Sequence, residues 1–516
     1  MALAEKNYSS LTRDEVSLVG QLNVNFMLMD ILEAFGDFGN YSHQRELFIS
    51  TLGKDYLDKS IFGTLVKIWD ARAALAKGDI EAAYEMISIG LLQNRFSTMP
   101  HIRSQLLEYQ ALIVSLAGKS TPQPLELAEQ SRILREKSGG VYFAARNQII
   151  LALVYIRSDM VEKGFRLFDE GIESAVNTDL PMVVCSGFML RAYANMFVDR
   201  ADDLKKDLAS GLKIMRKHRY HYFFCWYPPL VKELLQTAVH YNIETTYAKK
   251  LAREQLDLCI QNSGEAVPLL KIRILGSFNL ELNGRIVATG SSFTPMQREL
   301  FAVLLASPNL QLEREKIQFE LWPDTTTEKA HAGFDTLMSR LRTTMKKLFS
   351  PYSLKHYFVF SKGILSFENC RLDAREFTTL AEQGMDHIKK EEYWQAGNYF
   401  FPAMQLWRGC FTTDIFSGEQ AHEYCVDLHH KISEMALAWG DNLSKIGYRQ
   451  EALKVLQQAW NFNRSHSGLV KLLYEHYLYN NNPIQARQTL RQYEAILKQE
   501  EFSEDEIHEI ISHMSL

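Results

Sequence analysis

Apolar residues along this 516-residue chain recur with two different periods, and the switches between them divide it. From about residue 62 to residue 263 the spacing is helical, with apolar positions three and four apart over stretches of helix length. Short polar or glycine breaks recur at Lys77-Gly78-Asp79, Gly118-Lys119, Arg157-Ser158-Asp159, Asp199-Arg200-Ala201 and Tyr241-Asn242, about 40 residues apart. Each break lies between two helical stretches, so the repeating unit is a helix-turn-helix hairpin. One such hairpin cannot bury its apolar stripe alone and must stack on its neighbours, which makes residues 61–265 an α-solenoid like those of tetratricopeptide repeats (TPR). Residues 1–60 are less regular and read as cap or partner-docking helices.

Asn262-Ser-Gly-Glu-Ala-Val-Pro268 breaks the helical period and reads as a linker. From Lys271 to Val287 the pattern alternates as in strands and contains Asn283-Gly284, a strong hairpin signal. A helix then opens at Thr294-Pro295-Met296-Gln297, a capping box with proline in the first turn, and a second covers residues 313–321, closed by Trp322-Pro323. Thr325-x-x-Glu328 reads as another capping box, starting a helix over residues 325–349. On it Ala330, Phe334, Leu337, Met338, Leu341, Met345 and Leu348 form one stripe about 80° wide, the core-facing side. The opposite side carries Lys329, Ala332, Thr336, Ser339, Arg340, Thr343, Lys346 and Lys347, with Asp335 and Arg342 on its flank. Small residues permit close approach to a DNA groove and basic ones reach phosphates or guanine edges, although a merely solvated face has the same composition. Two strands turning at Lys362-Gly363 follow, so sheet, three helices and terminal hairpin over residues 269–368 form a winged helix. In the last segment, residues 369–516, helical periodicity returns. Gly447 and Asn481, Ala452 and Ala486, and Gln458 and Gln492 are each 34 residues apart, the TPR period. The fold class is therefore mostly α, with an α+β centre between two helical arrays.

Charge changes this picture in one respect. The net charge of −5 hides an uneven distribution: residues 1–268 hold 30 Lys/Arg against 32 Asp/Glu (−2), residues 269–368 hold 13 against 9 (+4), and residues 369–516 hold 14 against 21 (−7). Only the winged-helix segment is basic, as a nucleic-acid reader should be. Six well-separated cysteines with no Cys-x-x-Cys pair argue against a disulfide framework and a zinc ribbon, and fit a reducing cytoplasm. No apolar run approaches the roughly 20 residues of a membrane span, and residues 1–10 lack the layout of a signal peptide.

Candidate chemistry is sparse. Gly118-Lys119-Ser120 resembles the end of a phosphate-binding loop, but Ile113 stands where the motif needs glycine. The run from Arg216 to Pro229 passes from basic to aromatic; packing between hairpins accounts for it, and an effector site on the array would use His218, Tyr220, Tyr222 and Trp226. His422, Cys425 and His429 share a helix face and are soft enough for zinc, but without a fourth ligand of evident spacing they read as packing, with Cys410 or His430 as distant candidates. No nucleophile–base pair, carboxylate pair or dinucleotide fingerprint occurs, so neither an enzyme nor a cofactor or metal protein is expected.

Several stretches together carry a family resemblance: Ile274-Leu-Gly-Ser-Phe-Asn-Leu280, Gln297-Arg-Glu-Leu-Phe-Ala-Val-Leu-Leu-Ala306, Glu320-Leu-Trp-Pro-Asp324 and Asp335-Thr-Leu-Met-Ser-Arg-Leu-Arg342. In this order they resemble the OmpR/PhoB-type winged helix of bacterial regulators that carry a bacterial transcriptional activation domain (BTAD). Residues 369–516, with Ala403-Met-Gln-Leu-Trp-Arg-Gly-Cys-Phe411, resemble the BTAD itself, and the first array resembles the sensor domains of maltose-activator-type regulators. The resemblance implies that Thr336 and Arg340 lie near base edges, Arg342 and Lys347 near phosphates, and Lys362 at the minor groove. It further implies an activator that oligomerises on double-stranded DNA, contacts RNA polymerase and senses an effector or partner. The hairpin departs from the family's Arg-Gly-x-Gly-Tyr, having Ser361-Lys-Gly-Ile-Leu365. Many relatives carry an NTPase module upstream of the array, which this sequence does not show. The competing reading is a TPR-type protein-interaction scaffold whose winged helix serves docking.

Overall fold

A computed structural model describes residues 18–515 apart from residues 94, 119–122, 411–418 and 446–447. The chain divides into two compact units, Met1–Val267 and Pro268–Leu516.

In the first unit, three helices, α1 (Leu18–Ala34), α2 (Phe38–Leu52) and α3 (Lys54–Lys59), precede five helix pairs. The pairs are α4 (Ile61–Ala76) with α5 (Ile80–Leu92), α6 (Pro100–Leu116) with α7 (Pro124–Glu136), and α8 (Val141–Arg157) with α9 (Val161–Asn177). After them come α10 (Pro181–Phe197) with α11 (Ala201–His218), and α12 (Pro228–His240) with α13 (Thr245–Gln255). The sequence breaks fall at the turns inside these pairs, where the backbone is left-handed at Gly78, Gly118, Asp159, Asp199 and Asn242. Glycine adopts that conformation freely and Asp or Asn at small cost, so the break residues are chosen by the turn. Lys119 and Ser120 lie outside the described residues.

Small residues let paired helices touch. A Cβ at Gly171 on α9 would stand 2.9 Å from Ile149 Cγ1 and 3.1 Å from the Ala145 carbonyl oxygen of α8. Gly171→Leu is therefore expected to overpack this crossing and cost about 1–3 kcal/mol, read as an earlier urea midpoint for the first unit's transition. Unchanged stability would mean that the α8–α9 crossing is looser than this geometry requires.

The stretch read as a linker is instead a small hairpin of β1 (Leu258–Ile260) and β2 (Ala266–Pro268), closed by the Gln261 amide donating to the Glu265 carbonyl at 2.8 Å. Its Ser-Gly is the turn, and the apolar residues on either side are ladder partners rather than loose chain.

In the second unit β3 (Leu270–Arg273), β4 (Asn279–Leu282) and β5 (Arg285–Thr289) form an antiparallel meander. Asn283 and Gly284, both at positive φ, make the turn the sequence specifies. Three helices follow, α14 (Pro295–Ala306), α15 (Arg314–Leu321) and α16 (Thr327–Leu348), with β6 (Gln311–Glu313) leading into α15. β7 (Phe358–Ser361) and β8 (Ile364–Phe367) form a hairpin whose second strand pairs β6. β9 (Cys370–Leu372) then returns to run parallel to β3. Asp373, the next residue, accepts the Ile274 and Leu275 amides at 2.9 and 3.1 Å. Burial raises its carboxyl pKa, while these two amides and Arg408 oppose the shift.

The remaining helices are α17 (Asp373–Lys389), α18 (Tyr393–Leu406), α19 (Glu419–Lys445), α20 (Arg449–Phe462), α21 (Ser467–Tyr479), α22 (Pro483–Gln499) and α23 (Glu504–Ser515). One continuous core runs from Leu270 to Met514, so segments 269–368 and 369–516 share an interior. The fold class is mostly α, as expected from the sequence.

Two local expectations fail. The capping box at Thr294 and Gln297 forms, but that at Thr325 and Glu328 does not: Thr326 is the N-cap, and the Thr325 hydroxyl donates to the Trp322 carbonyl. Cys410 and Cys425, with Cα atoms 6.0 Å apart, are joined as a disulfide, where the cysteine spacing pointed to no bridges. Cys410, beyond the end of α18, meets Cys425 near the start of α19, a pairing that spacing alone does not encode.

Candidate nucleic-acid interface

The geometry of α16 follows from its stripe. Ala330, Phe334, Leu337, Met338, Leu341 and Met345 are all buried, and Leu348 packs partly buried against the same core. Phe334 is the anchor. Its ring lies 5.6 Å from that of Phe360 on β7, and the Arg314 guanidinium from α15 sits 4.9 Å over its face. Arg314 also pairs with Asp335 at 3.0 Å and donates to the His331 carbonyl, so α15, α16 and the hairpin are held as one body.

The opposite face is open. Lys329, Ala332, Thr336, Ser339, Arg340, Arg342, Thr343, Lys346 and Lys347 are all exposed. Thr336 and Thr343 donate their hydroxyls to the Ala332 and Ser339 carbonyls, which leaves their methyl groups and oxygen lone pairs outward. Asp335, the acid on this flank, is taken by Arg314. Among the described residues, none of Lys329, Arg340, Arg342, Lys346 and Lys347 is ion-paired to a carboxylate. Unpaired cations along one helix face repel each other in water, and a polyanion relieves that repulsion.

Lys362 is exposed at the tip of the β7–β8 hairpin, where it and Gly363 take left-handed φ. A cavity of about 590 Å³ joins the end of α16 to the base of the hairpin, lined by Arg342, Lys346, Tyr352, Lys355 and Phe360 among others. Lys355 was not foreseen. It lies in an aperiodic loop, and only its nearness in sequence to Lys346 and Lys347 could have suggested it.

The first array holds a cavity of about 930 Å³, lined by Phe35, Phe38, Lys77, His221, Tyr222, Trp226 and Lys232 among others. Of the four expected effector residues, Tyr222 and Trp226 line it, with stacked rings 5.9 Å apart. His218 and Tyr220 stack on each other outside it. Phe35 and Phe38 come from the α1–α2 turn and Lys232 from α12, a convergence that no local pattern signals.

The soft-ligand trio does not assemble. Cys425 is bonded to Cys410, and its sulfur lies 3.9 Å from His429 Nδ1, whose pKa burial lowers. Elsewhere, His430, Glu434 and His466 bring ligand atoms within 4.8 Å of one another. His466 there caps α21 through Nδ1, which accepts the Leu469 amide at 3.4 Å. An imidazole bound to a metal through Nε2 carries its proton on Nδ1 and would lose that cap, so the trio is a poor ligand set. Among the described residues no helix is long and apolar enough to cross a membrane.

Residues 372–506 match the family model of the bacterial transcriptional activator domain. Three solved structures are similar over longer stretches. Mycobacterium tuberculosis EmbR in complex with a low-affinity phosphopeptide shares 16% identity over 48% of this chain and 65% of that chain, at a TM-score of 0.38. The TPR domain of P58(IPK) shares 12% over 88% of this chain and 97% of that chain, at 0.18. The APC/C heterotetramer Cut9–Hcn1 shares 12% over 99% and 98%, at 0.20. The chain thus spans just under two thirds of the length of the EmbR chain. No curated protein sequence matches it.

Proposed function

We propose that this chain is a DNA-binding transcriptional regulator, an activator, whose residues 269–368 form an OmpR/PhoB-type winged helix with α16 as the recognition helix. The observation that carries the reading is the exposed cation set of α16, free of carboxylate partners among the described residues, in the segment that precedes a match to a transcriptional activator domain. Arg340 and Thr336 would meet base edges. Arg342, Lys346, Lys347 and Lys355 would meet phosphates, and Lys362 would reach the neighbouring minor groove. A local charge of +4 limits the phosphates one protomer neutralises, so several copies on repeated sites would supply affinity. The acidic last segment is kept from DNA by its own charge and is free to meet RNA polymerase. The first array, with its Tyr222–Trp226 cavity, would receive an effector or partner and change how protomers associate.

Binding of the full chain to genomic fragments under increasing salt tests this. The regulator reading expects saturable binding that weakens linearly in log salt, with protected repeats in a footprint. Absence of saturable, salt-sensitive binding would leave the protein-docking scaffold as the better reading.

A further inference from the structure

Four helices of the first unit converge on a buried charged centre. Glu33 of α1, Arg72 of α4, Glu108 and Tyr109 of α6, and Arg146 of α8 are each 5% exposed or less. The two guanidinium carbons lie 5.6 and 5.5 Å from the Tyr109 ring centre, so the arginines flank one aromatic face system. Burying such charges is costly unless each is closely paired and hydrogen-bonded.

The two glutamates answer that demand unequally. Both oxygens of Glu108 are used, one by Arg146 Nη2 at 2.9 Å and the other by Asn147 Nδ2 at 2.6 Å. Glu33 approaches Arg72 Nη2 at 2.7 Å, yet neither of its oxygens sits in hydrogen-bonding geometry with any donor. Arg72 Nε and Arg146 Nε are buried without an acceptor. Burial raises the Glu33 carboxyl to about 7 against the pull of both arginines, so it is a weak anion where it stands. Its helix packs on α4, the first helix of the array, through a small core of its own. Residues of α1–α4, including Met29, Tyr41, Phe48 and Trp69, form a small core separate from that of the stacked hairpins. The 930 Å³ cavity begins two residues beyond Glu33, at Phe35, and its wall residue Tyr222 is buried beside the same charges.

We propose that Arg72 and Arg146, flanking Tyr109, form an anion-accepting site inside the first array, which Glu33 fills in cis and which a small carboxylate-bearing molecule occupies when the α1–α2 hairpin withdraws. Glu33 is then a resident substitute for the ligand's carboxylate, and the spare guanidinium N–H groups are donors that a freely oriented carboxylate can satisfy. The site stands on this geometry alone and holds whether or not α16 reads DNA. Only the notion that its ligand is the effector rests on the regulatory reading.

Chemical rescue tests it. Glu33→Ala in the full chain is expected to melt earlier than wild type. Acetate should raise its melting temperature with the logarithm of concentration, as binding to the folded state does. Chloride at equal ionic strength should not, and phosphate, which is larger, should do so less. Wild type, whose site is occupied, and Glu33→Ala/Arg72→Met, which lacks the acceptor, should show no acetate response. An acetate effect equal in the double variant, or absent from the single one, overturns the proposal. If Glu33→Ala does not fold, Glu33→Gln keeps the shape without the charge. Acetate should then accelerate amide exchange in α1 of this variant by several-fold, and not in Glu33→Gln/Arg72→Met; unchanged exchange overturns the proposal equally.

Discussion

Replacing Arg342, Lys346 and Lys347 together by alanine is expected to lower DNA affinity roughly 500-fold at 0.1 M salt, since on the proposed reading each neutralised phosphate contributes about 0.9 of a decade there. The slope of log affinity against log salt falls by about 2.7 in the same variant. Far-ultraviolet circular dichroism and thermal stability stay near wild type, because all three side chains are exposed and none is ion-paired among the described residues. The slope is the sharper readout. A variant that lost affinity with an unchanged slope would have been damaged elsewhere, and one that lost neither would show that this end of α16 does not meet phosphate.

The second large effect is on stability. Phe334→Ala removes a buried ring that touches Phe360 of the hairpin and carries the Arg314 guanidinium on its face. The transfer and cavity costs of such a truncation come to about 3–5 kcal/mol. The loss falls on the second unit, so its denaturant transition moves early while that of the first unit stays in place. Phe334→Leu, which refills most of the volume, costs under about 1.5 kcal/mol. Equal costs for the two, or none for either, would mean that Phe334 does not join α16 to the hairpin.

What was legible in the sequence was whatever a local pattern encodes. The hairpin turns of the first array were legible because a left-handed turn selects Gly, Asp or Asn, and those residues punctuate an otherwise helical period. The buried face of α16 was legible because its stripe is continuous over six turns of helix, and the Asn283-Gly284 and Lys362-Gly363 turns because few residues fit their backbone. One-residue choices were less so: Thr325 and Thr326 are equivalent caps by type, and the Trp322 carbonyl decides between them by capturing the Thr325 hydroxyl. Long-range meetings were not legible at all. Asp373 reaching back to Ile274, Arg314 crossing onto Phe334, Cys410 meeting Cys425, and Glu33 entering among Arg72 and Arg146 each depend on how distant segments stack. The candidate interface was therefore readable on its helix, and the cavities were readable only from the wall that carries Tyr222 and Trp226.

The central claim is that the outer face of α16 reads bases as well as touching phosphates, and Arg340→Ala addresses it most directly. The measurement is the ratio of affinities for a footprinted site and a scrambled competitor, wild type against variant, at one salt concentration. The account predicts that the ratio falls by about 10- to 100-fold, the worth of one good arginine–guanine contact, with little change in binding to the competitor. A ratio that survives Arg340→Ala unchanged would contradict it.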